Sequence, residues 1–245
     1  MTLDPNTLDL DDWQRGTVTW RRDWPGSEGL VSLRLSGQVT PRRGGQYIRL
    51  ATANAAGEWG VRYLSLASAP GAAPELLVAP VTGDVTPGDP AALRVGDDVI
   101  FSRVGAGKLV VPAGGGGTLW LLGAGTGLAP LMSIYRAGDT GFETVVMVHS
   151  VRHSEQLAWR AELTAESDAG RLRYLPLVTR HRDDTIAAPR IPALLMNGAF
   201  ELLLAQSIDP NRDVAILCGG VAMTVETRAA LQALGMPKDR VITEF

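Results

Sequence analysis

Up to about residue 110, hydrophobic and polar positions alternate in short runs separated by turn-forming residues. This two-residue period places the apolar side chains on one face of a strand, and Pro, Gly and Asp interrupt it at short intervals. The predicted strands cover residues 16–22, 31–35, 46–50, 62–68, 75–79 and 98–104. Short strands with regular turn signals predict an antiparallel barrel or sandwich.

From residue 118 onward, strands alternate with helices. The predicted strands cover residues 118–122, 143–149, 172–178, 214–217 and 240–243. The predicted helices cover 129–136, 154–167 with Ser154 as N-cap, 191–205 with a break near Asn197-Gly198, and 221–234. This alternation predicts an α/β domain with a five-stranded parallel sheet and a ligand at the carboxyl ends of its strands. Four glycines at 114–117 separate the two patterns, so we expect domains at residues 1–113 and 118–245.

Composition and charge mainly exclude classes of protein and kinds of site. The chain has 245 residues, of which 45% are hydrophobic, and this suits one large or two small domains. A net charge of −3 argues against nucleic-acid binding, and no apolar run approaches the ~18 residues of a membrane span. The N-terminus lacks the apolar segment of a signal peptide, so we expect a cytoplasmic protein. With one cysteine and three histidines, we expect no disulfide, no protein-ligated iron–sulfur cluster and no metal site.

A glycine-rich loop follows the predicted strand at 118–122. Gly123, Gly125 and Gly127 occupy every second position, and a helix with Pro130 near its first turn comes next. Strand, glycine loop and helix start together aim backbone N–H groups and the positive end of the helix at an anion. The spacing is not that of the G-x-G-x-x-G fingerprint, because Leu128 stands where the third glycine would be. The loop therefore predicts a phosphate site and leaves the cofactor open, and a plain glycine-rich turn fits it too.

Further strings carry candidate chemistry, although each taken alone also fits an ordinary strand, a turn, a structural cysteine or a solvated arginine. Arg62 and the hydroxyls that follow it suit a flavin with its phosphates, and Thr86 lies in a turn that suits phosphate. Arg152, at the end of the strand at 143–149, stands where an acidic residue would indicate NAD, and this favours NADP. The remaining candidates are Arg180, Arg190, Cys218-Gly219-Gly220 and Glu244-Phe245.

Together these strings resemble the ferredoxin/flavodoxin–NADP⁺ reductase family of the bacterial type, over nearly the whole chain and in the family's order. The motifs are Gly45-Gln46-Tyr47, Arg62-x-x-Ser65 with Ala67-Ser68, Gly83-x-x-Thr86, residues 125–130, residues 148–152, Val178-Thr179-Arg180, Arg190-Ile191, Cys218-Gly219 and Glu244. The resemblance implies an FAD-binding antiparallel barrel, followed by an NADP(H)-binding α/β domain.

For FAD, the resemblance implies one strand and the turn beyond it: Arg62, Tyr63, Leu64, Ser65, Leu66, Ala67, Ser68 and Thr86. Arg62 and Thr86 would bind the pyrophosphate, and Ser65 would lie by the flavin N5. The family has a tyrosine that stacks on the flavin where this chain has Leu64, and Tyr63 comes one residue early, on the opposite face of the strand. Leu64 is therefore expected to cover the ring.

For NADP(H), the resemblance implies a pyrophosphate loop of Gly125, Thr126 and Gly127, with phosphates held by Arg152, Arg180 and Arg190. Arg180 and Arg190 would bind the 2′-phosphate. His181 stands where the family commonly has a glutamate.

At the reacting centre, Cys218 and Gly219 would lie near the nicotinamide, and Glu244 would assist Ser65 in catalysis. Family members continue past the glutamate to an aromatic that covers the flavin, and here either Phe245 takes over that cover or that face of the flavin is open to the nicotinamide.

The implied activity is hydride transfer between NADPH and flavin N5, coupled to a one-electron carrier, ferredoxin or flavodoxin. We expect a monomer whose basic rim steers such acidic carriers, with Arg21, Arg22, Arg42 and Arg43 as candidates. Two alternatives stay open: the reductase component of an oxygenase, or another NAD(P)H–flavin reductase with a different acceptor; and a non-catalytic nucleotide-binding module.

Overall fold

A computed structural model describes residues 2–3, 11–80, 83, 86–138, 140–181 and 185–244. The strands are β1 Thr2–Leu3, β2 Trp13–Asp23, β3 Val31–Leu35, β4 Tyr47–Ala53, β5 Trp59–Ser65, β6 Glu75–Val78, β7 Asp98–Ser102, β8 Thr118–Ala124, β9 Thr144–Val151, β10 Arg173–Val178, β11 Val214–Cys218 and β12 Val241–Thr243. The helices are α1 Leu128–Arg136, α2 Arg160–Asp168, α3 Ile191–Met196, α4 Ala199–Leu204 and α5 Val221–Ala233. The predicted strands all form, with ends shifted by up to a few residues, and the two-residue β1 was not predicted.

The first half of the chain is an antiparallel barrel. Its strands run in the order β1-β5-β4-β7-β2-β3-β6, and a bridge between Leu66 and Leu76 joins the end of β5 to β6. The backbone N–H of Ala67 donates to the carbonyl of Glu75 at 2.7 Å and closes the same seam. Alternate residues of the strands point inward, and the interior includes Ile48, Leu50 and Phe101 at 0% exposure. The predicted barrel is therefore confirmed.

The second half is an α/β layer around a five-stranded parallel sheet with the order β10-β9-β8-β11-β12. Strand β8 lies at the centre, and the chain turns to one side for β9 and β10 and to the other for β11 and β12. A crevice opens beyond the carboxyl end of the strand where such an order reverses. This places the glycine loop after β8 at the position where open α/β sheets bind ligands. The predicted fold class is confirmed.

The predicted helix at 154–167 is wrong in its first turn. Residues Ser154–Gln156 form a 3-10 turn with His153 as N-cap, and α2 begins only after Trp159, whose φ is +51°. The Trp159 ring is 5% exposed and meets the Trp24 ring edge-on at 6.0 Å between centroids. The ring packs against the barrel half, and the left-handed backbone at Trp159 separates the 3-10 turn at Ser154 from α2. By contrast, the predicted break near Asn197-Gly198 is present, with Gly198 at φ +72°.

One hydrophobic core is shared by the two halves. It contains Trp24, Leu77 and Leu109 from the first half and Leu119 and Leu131 from the second. The glycine run also packs closely, since a side chain at Gly115 would collide with the backbone of Gly141. The boundary between residues 113 and 118 remains a prediction.

Candidate functional site

A cavity of about 570 Å³ lies at the carboxyl ends of the parallel strands. Its floor is the end of β8 and the loop after it, Ala124, Gly125 and Thr126. Its walls come from the end of β9, the start of α3 and the start of α5, and Leu30 and Ala79 of the barrel half close one side. The cavity is therefore built by both halves of the chain.

The glycine loop has the geometry of an anion cradle. Gly125–Gly127 form a 3-10 turn that runs into α1, and no side chain caps the N-terminus of that helix. Gly125 has φ +56°, a conformation that favours glycine, and a side chain there would meet open space. A Cβ at Gly127 would instead lie 2.3 Å from the carbonyl oxygen of Cys218. Gly127 is therefore required by close packing between the β8–α1 and β11–α5 turns.

His149 supports this loop, and sequence reasoning included it in a motif without giving it a role. The imidazole is completely buried in β9, and its Nε2–H donates to the carbonyl of Gly125 at 3.1 Å. Burial lowers the pKa of His149 to about 4, although the hydrogen bond to Gly125 opposes the shift. The ring is therefore neutral at physiological pH and ties the turn of the loop to the neighbouring strand. In the sheet, His149 of β9 pairs with Gly123 of β8, just before the glycine loop, and this cross-strand position is the signal that points to its supporting role.

Two of the three predicted phosphate-binding arginines line the cavity. Arg152 follows β9 and Arg190 precedes α3, and both are exposed. Arg180 is half-buried and is not among the described lining residues. Its backbone N–H donates to the carbonyl of Arg152 at 2.9 Å, and it forms a bridge with Ile186. The structure thus brings Arg152 and Arg190, rather than Arg180 and Arg190, to the same cavity.

A second cavity, of about 510 Å³, lies against the barrel and brings Arg62 and Thr86 together. The Arg62 guanidinium donates to the carbonyls of Thr86 at 2.9 Å and of Pro87 at 3.1 Å. Gly60, two residues earlier on β5, leaves no room for a side chain, because a Cβ would lie 2.3 Å from the Pro87 carbonyl oxygen. These contacts hold the turn at Thr86 directly against β5, so the predicted pyrophosphate ligands are neighbours.

Strand β5 presents Leu64 and Tyr63 on opposite faces, as the sequence predicted. Leu64 is half-buried and packs against the barrel interior, on the face of its partner Ile48. Tyr63 is 62% exposed on the other face, where its ring meets the Tyr47 ring edge-on at 5.5 Å. Tyr63 therefore does not share a face with Arg62, and it is the weaker of the two candidates for a flavin contact.

The next three predicted FAD residues have packing roles in the structure. Leu66 and Ala67 are 0% exposed, in the barrel interior and in the core shared by the two halves respectively. Ser68 is 5% exposed, and its hydroxyl accepts hydrogen bonds from the Glu75 backbone N–H at 3.0 Å and from Arg42 at 3.2 Å. Their side chains close the barrel and join the halves, so we leave them out of the proposed FAD contacts.

The three residues of the predicted reacting centre come from distant segments of the chain. Ser65 is the cross-strand partner of Tyr47, and a methyl group at Gly107 would lie 2.9 Å from the Tyr47 ring and 3.2 Å from the Glu244 carboxylate. The charge of Glu244 in turn reaches Cys218, at the end of β11. Glu244 and Cys218 are thus close enough to interact, and Gly107 lies between Glu244 and the ring of Tyr47, the residue paired with Ser65. Phe245 lies outside the described residues.

Burial governs the ionisation of this group. It raises the pKa of the Cys218 thiol to about 12, and the Glu244 carboxylate adds to the effect. The thiol is therefore uncharged at physiological pH and acts as an apolar contact rather than as a nucleophile. Burial also raises the pKa of Glu244, while the charge and backbone N–H of Lys108 oppose the shift. Glu244 can consequently hold a proton more readily than an exposed carboxylate.

Three of the four arginines predicted to form a basic rim bind backbone carbonyls, and Arg43 does so at Val111, at 2.9 Å. Arg42 donates to the carbonyls of Ser68, Ala69 and Ala72, and Arg21 donates to the carbonyl of Ala91 at 2.7 Å. Both bind loops of the barrel together. Arg22 stays exposed, with its guanidinium 3.9 Å from the centre of the Trp24 ring.

Among the described residues, no three His, Cys, Asp or Glu side chains cluster in a way that could hold a metal ion. None of the helices in that part of the chain is long and apolar enough to cross a membrane.

The chain is similar to known proteins over most of its length. A model described as the oxidoreductase NAD-binding domain matches residues 121–229. Ferredoxin–NADP reductase A of Sorangium cellulosum (strain So ce56) is 37% identical over 156 residues, which are 58% of this chain and about half (55%) of that relative. The flavodoxin/ferredoxin–NADP reductase of Escherichia coli (strain K12) is 31% identical over 230 residues, covering 89% of this chain and 90% of the relative.

Among solved structures, a ferredoxin NADP⁺ reductase from Neisseria gonorrhoeae with bound FAD and NADP matches with a TM-score of 0.80. It is 24% identical, and the match covers 95% of this chain and 98% of the other. This likeness extends over the barrel and the parallel sheet together.

Proposed function

The chain belongs to the flavodoxin/ferredoxin–NADP reductase family, and we propose that it is an FAD-dependent oxidoreductase that moves electrons between NADPH and ferredoxin or flavodoxin. The observation that carries the proposal is the cavity at the end of β8, where the glycine loop faces Arg152 and Arg190. Backbone N–H groups at a helix start together with two arginines suit a pyrophosphate and a phosphomonoester.

The residues of this cavity fit NADPH. The open space beside Gly125 leaves room for a pyrophosphate against the loop, and Gly127 lets the loop approach Cys218 closely. Thr126 lies beside Gly125 in the cavity wall and offers a hydroxyl donor. We assign the 2′-phosphate to Arg152 and Arg190, because these two guanidinium-bearing residues line the same space.

The residues against the barrel fit FAD. Arg62 donates to the carbonyls of Thr86 and Pro87 and lines the second cavity, where its guanidinium would pair with a pyrophosphate. Thr86 lies beside it in the same lining. Leu64, two residues beyond Arg62 on the same face of β5, would give the ring system an apolar rather than an aromatic contact, and Ser65, the last residue of β5, would reach the ring from the end of the strand.

When bound, the flavin supplies a ring that accepts a hydride and releases electrons singly. The chain's own residues place the reactants and manage protons. The glycine loop and the arginines hold the dinucleotide by its phosphates, and Gly219 keeps the backbone beside Cys218 free of a side chain. Ser65 offers a hydroxyl, and Glu244, whose pKa is raised by burial, can hold or give up a proton near it. The uncharged Cys218 excludes water from the same place.

The proposal includes a monomeric, cytoplasmic enzyme that works with a soluble one-electron carrier. The reductase component of an oxygenase is the competing reading, and the two differ in the acceptor rather than in the flavin or nucleotide site. Steady-state rates with a ferredoxin, a flavodoxin and ferricyanide therefore discriminate between them. Our proposal predicts a kcat/KM for one of the two carriers that falls steeply as salt is raised.

The test of the proposed function begins with the purified chain and added FAD. We expect a visible flavin spectrum that NADPH bleaches much faster than NADH does. A chain that takes up no FAD would overturn the proposal, and a flavin that NADPH does not reduce would favour the non-catalytic module. Arg62→Ala is the matched variant, since it removes the pyrophosphate ligand but leaves the NADPH cavity intact.

A further inference from the structure

Helix α1 joins the two cofactor sites through its own hydrogen bonds. At its C-terminal end, the Ser133 hydroxyl donates to the carbonyl of Ser68 at 2.7 Å, and the Arg136 guanidinium donates to the carbonyl of Ala67 at 3.0 Å. Ser133 is 0% exposed, so its bond is shielded from water. Both acceptors belong to the segment that continues β5 directly after Ser65.

At its N-terminal end the same helix carries the Gly125–Gly127 loop. The nine residues of α1 span about 12 Å. Residues 128–134 are all buried, and the core packed around them prevents the helix from shifting freely. A displacement at one end of α1 is therefore transmitted to the other end.

Two further contacts hold α1 in place, one against the barrel and one against α2 and Trp159. A Cβ at Gly44, in the loop before β4, would lie 3.0 Å from the Cα of Ile134 and from the carbonyl oxygen of Ser133. The Arg136 guanidinium also pairs with both oxygens of Glu162 at 2.9 and 2.7 Å and lies 5.0 Å from the Trp159 ring centre. Arg136 thus ties the end of α1 to the barrel seam and to α2 at once.

We propose that Ser133 and Arg136 are positioning residues that set the separation between the NADPH loop and the flavin-binding strand. This inference rests on the proposed function, because it assigns NADPH to the loop and FAD to β5. Hydride transfer depends steeply on the distance and alignment of donor and acceptor, whereas the binding of each cofactor depends on its own phosphate ligands. Loosening α1 should therefore slow transfer without weakening either binding step.

The first test uses two conservative changes of opposite kind. Ser133→Ala removes the hydroxyl donor, and Gly44→Ala inserts a methyl group between the barrel and α1 at a position whose φ suits any residue. Tyr135→Phe is the matched control, because Tyr135 is on the same helix and its hydroxyl bonds Glu166 of α2 rather than the barrel. In stopped flow at saturating NADPH, we expect flavin reduction to slow about tenfold or more in both variants and less than about twofold in the control.

Two equilibrium measurements separate positioning from a general loss of structure. The dissociation constants of FAD and of NADP⁺ should stay within about threefold of wild type in Ser133→Ala and Gly44→Ala, consistent with intact phosphate ligands. The change that NADP⁺ produces in the absorption spectrum of the oxidised flavin should shrink in both variants and persist in Tyr135→Phe. A structural defect alone would instead weaken FAD binding in proportion to the rate.

Arg136→Lys tests the second residue, because lysine keeps the charge but lacks the planar fork whose three nitrogens bond Ala67 and both oxygens of Glu162. Glu162→Gln is its control, since it weakens only the α2 side of the arginine. We expect slow transfer in the first and nearly normal transfer in the second.

Two results would overturn the positioning role and leave the proposed function standing. One is an unchanged rate of flavin reduction in Ser133→Ala, Gly44→Ala and Arg136→Lys, and the other is a loss of rate matched by a loss of cofactor affinity. Failure of the wild-type chain to bind FAD or to be reduced by NADPH would overturn the proposed function, and this inference with it.

Discussion

The Nε2 atom of His149 lies 3.1 Å from the carbonyl oxygen of Gly125, and this single hydrogen bond joins a completely buried imidazole to the loop assigned to NADPH. The histidine is held neutral by burial, with its pKa lowered to about 4. A neutral donor suits this place, because a buried imidazolium would need a counter-charge. The loop thus depends on a group that titrates far below neutrality.

Stability should therefore fall with acidification through a defined window. Unfolded histidine takes up a proton near pH 6.5, whereas folded His149 resists it until about pH 4, so the unfolded state gains protons first. The free energy of unfolding should decrease as the pH falls from 6.5 to 4, by on the order of 3 kcal/mol from this residue. His149→Gln keeps a donor for Gly125 but cannot titrate, and it should flatten the profile. Urea denaturation at a series of pH values measures this, with His181→Gln, a change to an exposed histidine, as the matched control.

Gly127→Ala should be more harmful than Gly125→Ala, although only Gly125 has a positive φ. A Cβ at position 127 would lie 2.3 Å from the Cys218 carbonyl, so the two turns must separate, at a cost of about 2 kcal/mol or more. At position 125 the methyl group enters open space, and only the left-handed backbone costs about 1 kcal/mol. Thermal unfolding and NADP⁺ titration of the two variants measure the difference. Equal effects would mean that backbone conformation, and not the close packing, makes the glycine necessary.

Arg152→Ala and Arg190→Ala should each raise KM for NADPH by about tenfold or more and change KM for NADH little, since each removes a proposed charge-assisted bond to the 2′-phosphate. Arg180→Ala should have a smaller effect, because Arg180 is not among the described lining residues of the cavity. Steady-state kinetics with both nucleotides decides the matter. A larger effect at Arg180 than at Arg152 would restore the assignment made from the sequence.

Arg62→Ala should weaken FAD binding by more than about tenfold, since it removes a charged pyrophosphate ligand. Tyr63→Ala should change FAD affinity by less than about twofold, because Tyr63 is exposed on the face of β5 opposite Leu64. Fluorescence titration of the apoprotein with FAD gives both constants. Strong weakening in Tyr63→Ala would place the flavin on the outer face of the strand.

The sequence by itself determined the order of the elements and the place of the glycine loop. Apolar and polar residues alternate along residues 31–35, and strand and helix patterns alternate after residue 118. Both patterns are local periodicities, and the geometry of short segments is enough to predict strands and helices from them. The loop at Gly125–Gly127 was found because it follows a buried strand and precedes a helix, a context visible over a dozen residues. The barrel and the parallel sheet then follow from how such elements pack.

Only the tertiary structure decided which side chains meet. The sequence predicts the same phosphate-binding role for Arg152 and Arg180. In the structure, Arg152 lines the cavity, whereas Arg180 pairs with Ile186, donates its backbone N–H to the carbonyl of Arg152 and is not among the described lining residues. The sequence predicts Ser68 as part of a cofactor-binding strand. In the structure, hydrogen bonds from Ser133 and Arg42 place it in the interface between the two halves. These partners lie 26 to 65 residues away along the chain. Local periodicity carries no information about such contacts, because they depend on how two separately formed layers pack against each other.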